Sequence, residues 1–221
     1  MADQRMTAFD RLTRWWYREF YPKFYRQVDK LWRTASPDVK TSDGRLVTQG
    51  ESWAVHMVSG DELSAWGRAQ LRSWLAVVHA WQDRWAKFDA YACGIEDDRL
   101  VAIGGVALRE ASTEAGAIRI ALFGGMYVDP AYRTTPGRGL MLQRARVDFA
   151  KQSGCDFALL ICRPELVPYN ERSGWRVFQH DVYYERYGQR EAMGGSVATL
   201  VLALTDSDPV DADIDLCGLP A

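Results

Sequence analysis

Residues Phe157–Cys162 read FALLIC, six apolar residues in a row with no polar alternation. A strand with one wet face alternates polar and apolar, so an unbroken apolar run marks a strand buried on both faces. Such a strand needs cover above and below, and its flanks are suited to give it. Residues 118–128 form a longer apolar strand interrupted by Gly124-Gly125, and residues 139–152 read as an amphipathic helix. Further strands are expected at 52–58, 88–95, 100–108, 175–185 and 196–204, the second and third as a hairpin closed by Glu96-Asp97-Asp98-Arg99. Residues 166–173 suit a short helix or turn. The run 62–85 is helical in pattern, with Ser59 or Asp61 as its cap. The order β, α, β, β, β, α, β, α, β, β predicts an α/β fold, a mixed sheet with helices on both faces.

An extra N-terminal helix precedes this set. Phe9, Leu12, Trp16, Phe20, Phe24, Val28 and Leu31 recur at steps of three and four, with Pro22 as a kink. The aromatic stripe suits packing on the main domain or on a second subunit, as in a homodimer. The alternative is an interfacial membrane helix with a basic face. Residues 35–51 carry turn signals and read as a linker. The expected organisation is 1–45 for the aromatic helix and linker, 46–205 for the main domain, and 206–221 for an acidic tail.

With 221 residues, 48% of them hydrophobic, the chain suits one globular domain plus an added element. A net charge of −2 argues against a nucleic-acid-coating protein. No stretch reaches the roughly 18 apolar residues of a membrane span, and charges recur too often near the start for a signal peptide. The four cysteines, Cys93, Cys155, Cys162 and Cys217, form no CxxC pair, so no metal site is expected and the thiols read as reduced. A cytoplasmic location is the expectation.

The most informative segment is MYVDPAYRTTPGRGL, Met126 to Leu140. A strand ends at Asp129-Pro130, a loop follows, and a helix opens after Gly137 and Gly139. Backbone N–H groups at a helix start, with the positive end of its dipole, make an anion site. Glycines let a phosphate approach, and Arg133 and Arg138 add positive charge. The same residues also describe a plain strand–helix turn. A GKS or GKT nucleotide loop is absent.

The segment resembles the coenzyme A pyrophosphate loop of the GNAT N-acetyltransferases, V-x-P-x-Y/F-R followed by Q/R-x-x-G-x-G/A. Arg133 stands four residues before Gly137, where that family usually has three, so the loop carries one extra residue, Pro136 being the candidate. The resemblance spans residues 45–204 in element order. It implies acetyl-CoA as co-substrate, with no metal, held by Met126, Val128, Arg133, Gly137, Arg138, Gly139 and Leu140. It also implies a β-bulge on the Met126 strand and a splay from the Phe157–Cys162 strand, with pantetheine in the gap.

A second motif, P-Y-N-E-R-S-G-W from Pro168 to Trp175, resembles the family's F-Y-E-R-x-G-W/F turn, whose Tyr protonates the leaving thiolate. Here Asn170 fills that place and Tyr169 stands where Phe is usual. Tyr169 and Asn170 are therefore the candidates at the sulfur, the Asn as a hydrogen-bond donor only. Residues 118–126 contain no carboxylate to act as base, and Glu165 is the substitute by position. His180 and Asp181 are neighbours on an expected strand, so they face opposite ways.

The closing D-I-D-L-C-G-L-P-A resembles the end of a GNAT branch that includes aminoglycoside 2′-N-acetyltransferases and rhizobial nodulation N-acyltransferases, with Ala221 in place of a final aromatic. That branch implies a tail folding back to the acceptor site. Asp213 and Asp215 would then bind an amine, of an amino sugar or aminoglycoside-like small molecule. A peptide or biosynthetic amine is the enzymatic alternative, and a non-catalytic acyl-CoA-binding module the other.

Overall fold

A computed structural model describes residues 45–49, 53–60, 88–97, 99–133, 137–194, 197–206 and 210–219. The expected helices over 9–32 and 62–85 lie outside these residues, as does Pro136 with its neighbours 134 and 135. So do the first ten residues of the expected linker.

The described chain forms strands β1 (Arg45–Gln49), β2 (Trp53–Ser59), β3 (Ala90–Glu96), β4 (Arg99–Thr113), β5 (Gly116–Val128), β6 (Phe157–Cys162), β7 (Arg176–Val177), β8 (Val182–Arg186), β9 (Gln189–Ala192), β10 (Ala198–Ala203) and β11 (Ile214–Asp215). Two α-helices accompany them, α1 (Arg138–Gln152) and α2 (Val167–Glu171). The sheet runs β1-β2-β3-β4-β5-β6-β10-β7. Every neighbour on this path is antiparallel except β5 and β6, which run parallel. A parallel pair needs a crossover, and α1 supplies it.

The FALLIC strand is buried on both faces, as its composition requires. Ala158 and Leu160 pack with Ala121, Phe123, Ala150 and Trp175 on the α1 side. Phe157 and Leu159 pack with Ile120, Leu122, Phe178, Val182, Ile214 and Leu216 on the other. Each fully buried Leu, Ile or Phe contributes about 1.5–3 kcal/mol, so this alternation fixes the register.

Several expectations change. Arg45–Gln49, inside the segment read as linker, is a strand paired to β2. Five mixed residues carry no periodic signal; their order comes from the neighbouring strand. The hairpin of β4 and β5 runs on to a turn at Glu114-Ala115. The stretch 175–185 breaks into β7 and β8, because β7 pairs with β10 while β8 leaves that path to pair with β9 and β11. The tail is part of the sheet: Asp215 pairs with Ser112 on β4, and Ile214 with Val182 on β8. Among the described residues, Val182 of β8 and Ile214 of β11 pack with Ile120 and Leu122 on the face away from α1.

Candidate functional site

The site begins where the sheet opens. The β5–β6 ladder runs from Ile120↔Phe157 to Phe123↔Leu160 and stops, although both strands continue. The cause is local. Between Ile103 and Gly105 on β4 there are two steps, while their partners Tyr127 and Gly124 on β5 are three apart. The extra residue is a bulge, and Gly125 carries it with a φ of 57°. A positive φ costs glycine little, and a bulge bends its strand. The backbone of β5 after Phe123 therefore has no β6 partner and faces a cleft. This is the bulge and splay that the resemblance implied, and Gly124-Gly125 fits it.

Helix α1 starts at the mouth of that cleft. Its N-cap, Gly137, sits at φ 86° and offers no side-chain cap to the first-turn N–H groups of Arg138, Gly139 and Leu140. These donors and the helix dipole, left without a side-chain cap, are the arrangement that suits an anion. Gly139 faces inward. A Cβ at this residue would collide with the Tyr169 hydroxyl and lie 3.3 Å from the Met126 methyl. The cleft edge, the helix start and Tyr169 thus converge on one glycine.

The two arginines of the loop are directed elsewhere. Arg138 makes a two-pronged contact to Glu96 on β3, at 3.1 and 2.5 Å, with its guanidinium over the rings of Trp53 and Tyr132. Its side chain anchors α1 to the sheet instead of reaching for a phosphate. Arg133 donates from Nε to the Val128 carbonyl at 2.9 Å and lies over Tyr127. It holds the turn that ends β5, and occupies the carbonyl of one residue expected to bind cofactor.

At the other wall, α2 presents Tyr169 and Asn170 in opposite ways. Tyr169 is 42% exposed, with its hydroxyl at the cleft. Burial raises its phenol above the ordinary 10.0, and the charge of Arg146 pulls it down. Asn170 is only 4% exposed, and its amide is engaged in the protein. Nδ2 donates to the Leu166 carbonyl at 2.9 Å and contacts Cys162 Sγ at 3.9 Å; Oδ1 accepts from Gln143 at 3.2 Å. Glu165 is exposed, beside Arg163 at 3.0 Å. Burial pushes the Cys162 thiol up to about 11, with Glu165 adding to it, and Cys93 up to about 12. Neither is a thiolate at neutral pH.

Sequence reasoning missed Arg146 and Gln143. Both are buried on α1, Arg146 completely. The signal was available: the two lie three apart on the face that carries Leu142, Ala145 and Ala150, where an amphipathic helix should be apolar.

Asp213 and Asp215 belong to the inserted tail. Asp213 accepts from the Asp181 N–H at 3.0 Å. Asp215 accepts from Arg190 Nε at 2.5 Å and from the Cys217 N–H at 2.9 Å. The Arg190 contact, with the Cys217 bond and attraction behind it, holds the Asp215 carboxyl below its ordinary value. His180 lies 2.7 Å from Asp211, not from its sequence neighbour. Both tail carboxylates thus bond within the protein, and Asp181, Asp211 and Asp213 remain at the surface.

A mixed sheet split beside a parallel crossover, with an uncapped helix at the split, is the GNAT fold. Among solved structures, the chain is similar to a GNAT family N-acetyltransferase (YhbS) from Escherichia coli in complex with CoA. That match has a TM-score of 0.50 at 15% identity, covering 79% of this chain and 98% of that one. Escherichia coli ElaA aligns at TM-score 0.48 and 16% identity over 66% and 97% of the two chains. An acyl-CoA N-acyltransferase from Pseudomonas aeruginosa aligns at 0.47 and 15% over 69% and 100%. At these identities the likeness is one of fold. No family model and no curated protein sequence matches the chain.

Proposed function

We propose that this protein is an N-acetyltransferase that moves the acetyl group of acetyl-CoA to a primary amine by direct transfer in a ternary complex. The observation that carries the reading is the β5–β6 cleft, with the α1 N-terminus at its mouth and the Tyr169 hydroxyl at its wall. The pyrophosphate would sit on the first-turn N–H groups, and pantetheine would pair with the unladdered backbone around Met126 and Val128. Backbone N–H groups of β5 would receive the oxyanion as the amine attacks. Tyr169 is the proposed acid at the sulfur, because its hydroxyl reaches the cleft while the Asn170 amide does not. Glu165 is the proposed proton acceptor for the amine, through water. No covalent enzyme intermediate is needed.

For the acceptor we propose an amine of an amino sugar or aminoglycoside-like compound. The support is the cluster of surface carboxylates Asp181, Asp211 and Asp213, which suits a substrate with several ammonium groups. The run 9–32 is proposed to pack on protein, on this domain or a second copy. The cytoplasm, where acyl-CoA is made and used, is the proposed location; among the described residues no helix is long and apolar enough to cross a membrane.

Two measurements test the reading. Acetyl-CoA should raise the melting temperature, as any ligand of the folded state does. CoA should then be released with at least one member of a panel of amino sugars, aminoglycosides and peptides. Failure to bind acetyl-CoA removes the reading. Binding without release on any amine favours a non-catalytic acyl-CoA-binding module.

A further inference from the structure

Arg146 is a fully buried cation with no carboxylate beside it among the described residues. Nη1 donates to the carbonyls of Gly105 at 3.3 Å and Gly124 at 3.4 Å. Nη2 donates to Gln143 Oε1 at 2.6 Å and contacts Met126 Sδ at 3.4 Å. The guanidinium carbon lies 4.6 Å from the centre of the Phe123 ring, and Nε has no partner. Gly104 gives it room, since a Cβ there would stand 3.1 Å from the guanidinium.

A buried charge without a counter-ion is costly, and packing alone would be served better by an apolar side chain. The position of this one is informative. It donates to the carbonyl of Gly124, the last paired residue before the bulge, and touches Met126 within it. The Met126 methyl and the Tyr169 hydroxyl crowd the same empty space on Gly139. Arg146 therefore stands behind the cleft wall on which the reaction is proposed to occur.

The charged and titratable groups around it are few. From β4 and β5 it meets carbonyls, a thioether and a ring. From α2 it feels Tyr169, whose charge acts on it and is acted on by it. On its own helix Arg138 is paired with Glu96, and Arg144 and Asp148 face solvent. Cys162 on β6 is a neutral thiol. Burial pushes the guanidinium down to about 9, so its charge persists at neutrality.

We propose that Arg146 is a positioning residue for thiolate departure: it holds the Gly105 and Gly124 carbonyls that border the bulge and favours negative charge on Tyr169 Oη as that hydroxyl gives up its proton. The inference rests on the acetyl-transfer reading. In the step concerned, the amine nitrogen has formed its bond to the acetyl carbon, and the C–S bond breaks with its electron pair going to sulfur. Tyr169 passes its proton to that sulfur and becomes a phenolate within the field of the cation. The proton lost by the attacking amine returns to the phenolate through water. An ordinary phenol at about 10 is a weaker acid than an alkyl thiol at about 8.5, so the transfer runs uphill without help. An opposite charge nearby supplies that help.

The test compares Arg146→Met and Arg146→Lys with the parent, each with Tyr169 and in a Tyr169→Phe background. Arg146→Met should keep its acetyl-CoA Kd within a few-fold and lose about 10- to 100-fold in kcat. In the Tyr169→Phe background the same change should cost little further, because coupled residues are not additive. Arg146→Lys should retain activity while the ammonium is charged. Burial lowers a lysine's pKa far more than it threatens an arginine's charge, so kcat should fall as pH rises through that value. If Arg146→Met does not fold, the Lys variant carries the test alone: its new alkaline limb must vanish with Tyr169→Phe. An equal loss with and without Tyr169, or a kcat–pH profile unchanged by Arg146→Lys, overturns the inference. A parent that neither binds acetyl-CoA nor releases CoA defeats the acetyl-transfer reading itself. A parent that turns over while Arg146→Met keeps its kcat defeats the inference alone.

Discussion

The hydroxyl of Tyr169 occupies the space that a Cβ on Gly139 would fill. One residue belongs to the first turn of α1 and the other to the wall across the cleft, so the absent side chain is what lets them meet. Gly139→Ala should therefore separate rate from stability. Alanine is favoured over glycine inside a helix by about 1 kcal/mol. Tyr169, half exposed, can swing away, so the fold should persist with an almost unchanged melting temperature. The displaced hydroxyl should cost about 10-fold or more in kcat if it is the acid. An alanine variant as fast as the parent would remove Tyr169 from the proposed mechanism.

Tyr169→Phe and Asn170→Ala should fail in different ways. The first leaves packing intact and should lower kcat by about 100-fold with little loss of stability. The second strands the Leu166 carbonyl and the Gln143 amide, and each unsatisfied buried group costs about 1–3 kcal/mol. Denaturant midpoints and kcat, measured on both, should show opposite patterns. Because burial is the larger influence on Tyr169, its phenol stays protonated through neutrality, and the parent's rate should show no alkaline limb from this group below its ordinary 10.0.

Arg138→Ala should act on stability first. It takes the two-pronged Arg138 contact away from the buried Glu96 carboxylate, and breaking a buried pair from one side costs about 3–5 kcal/mol, less where water reaches it or another partner remains. We expect a loss of about 2–3 kcal/mol in denaturant unfolding. Acetyl-CoA affinity should change by no more than a few-fold once the protein is folded. A large loss of affinity at unchanged stability would instead return this side chain to the phosphate site.

The tail should behave as core. Ile214 and Leu216 are fully buried, so Ile214→Ala should cost about 2–5 kcal/mol. Asp215 has its pKa lowered chiefly by Arg190, so the folded state binds its proton less readily than the unfolded chain. Its stabilising contribution is present above the ordinary 3.8 and is lost as pH falls through the lower folded value. Asp215→Asn should remove that part of the acid sensitivity in melting curves recorded from neutral to acidic pH. If Asp215→Asn leaves stability unchanged but raises KM for a polycationic amine, the carboxylate serves the acceptor and not the tail.

What could be read from the sequence was local. The FALLIC strand, the glycine-led helix and the Gly124-Gly125 interruption carry their reasons within a few residues: two-sided burial, a positive φ, a bulge. What could not be read depends on distant partners. Arg45–Gln49, Gln189–Ala192 and Ile214–Asp215 are too short or too polar to signal strands and become so only by pairing. Arg138 and Arg146 differ in the same way. Both are arginines on one helix, and only the fold directs one to Glu96 and the other beneath the bulge. Asp213 and Asp215 looked like free charge because Asp181 and Arg190 lie more than twenty residues away in sequence.

A sheet that splits between two inner strands has exposed edges in its middle, and exposed edges invite another chain to add a strand. This cleft discourages such an intruder. Its β5 side twists away at the bulge, and its β6 side runs only two residues past the last ladder pair. A strand from a second copy would find neither the length nor the flatness to dock. A thin molecule that presents one amide at a time meets no such obstacle. The irregularity that opens the sheet also screens what may enter it, so the protein can keep its backbone unpaired at the centre of its fold without seeding aggregation.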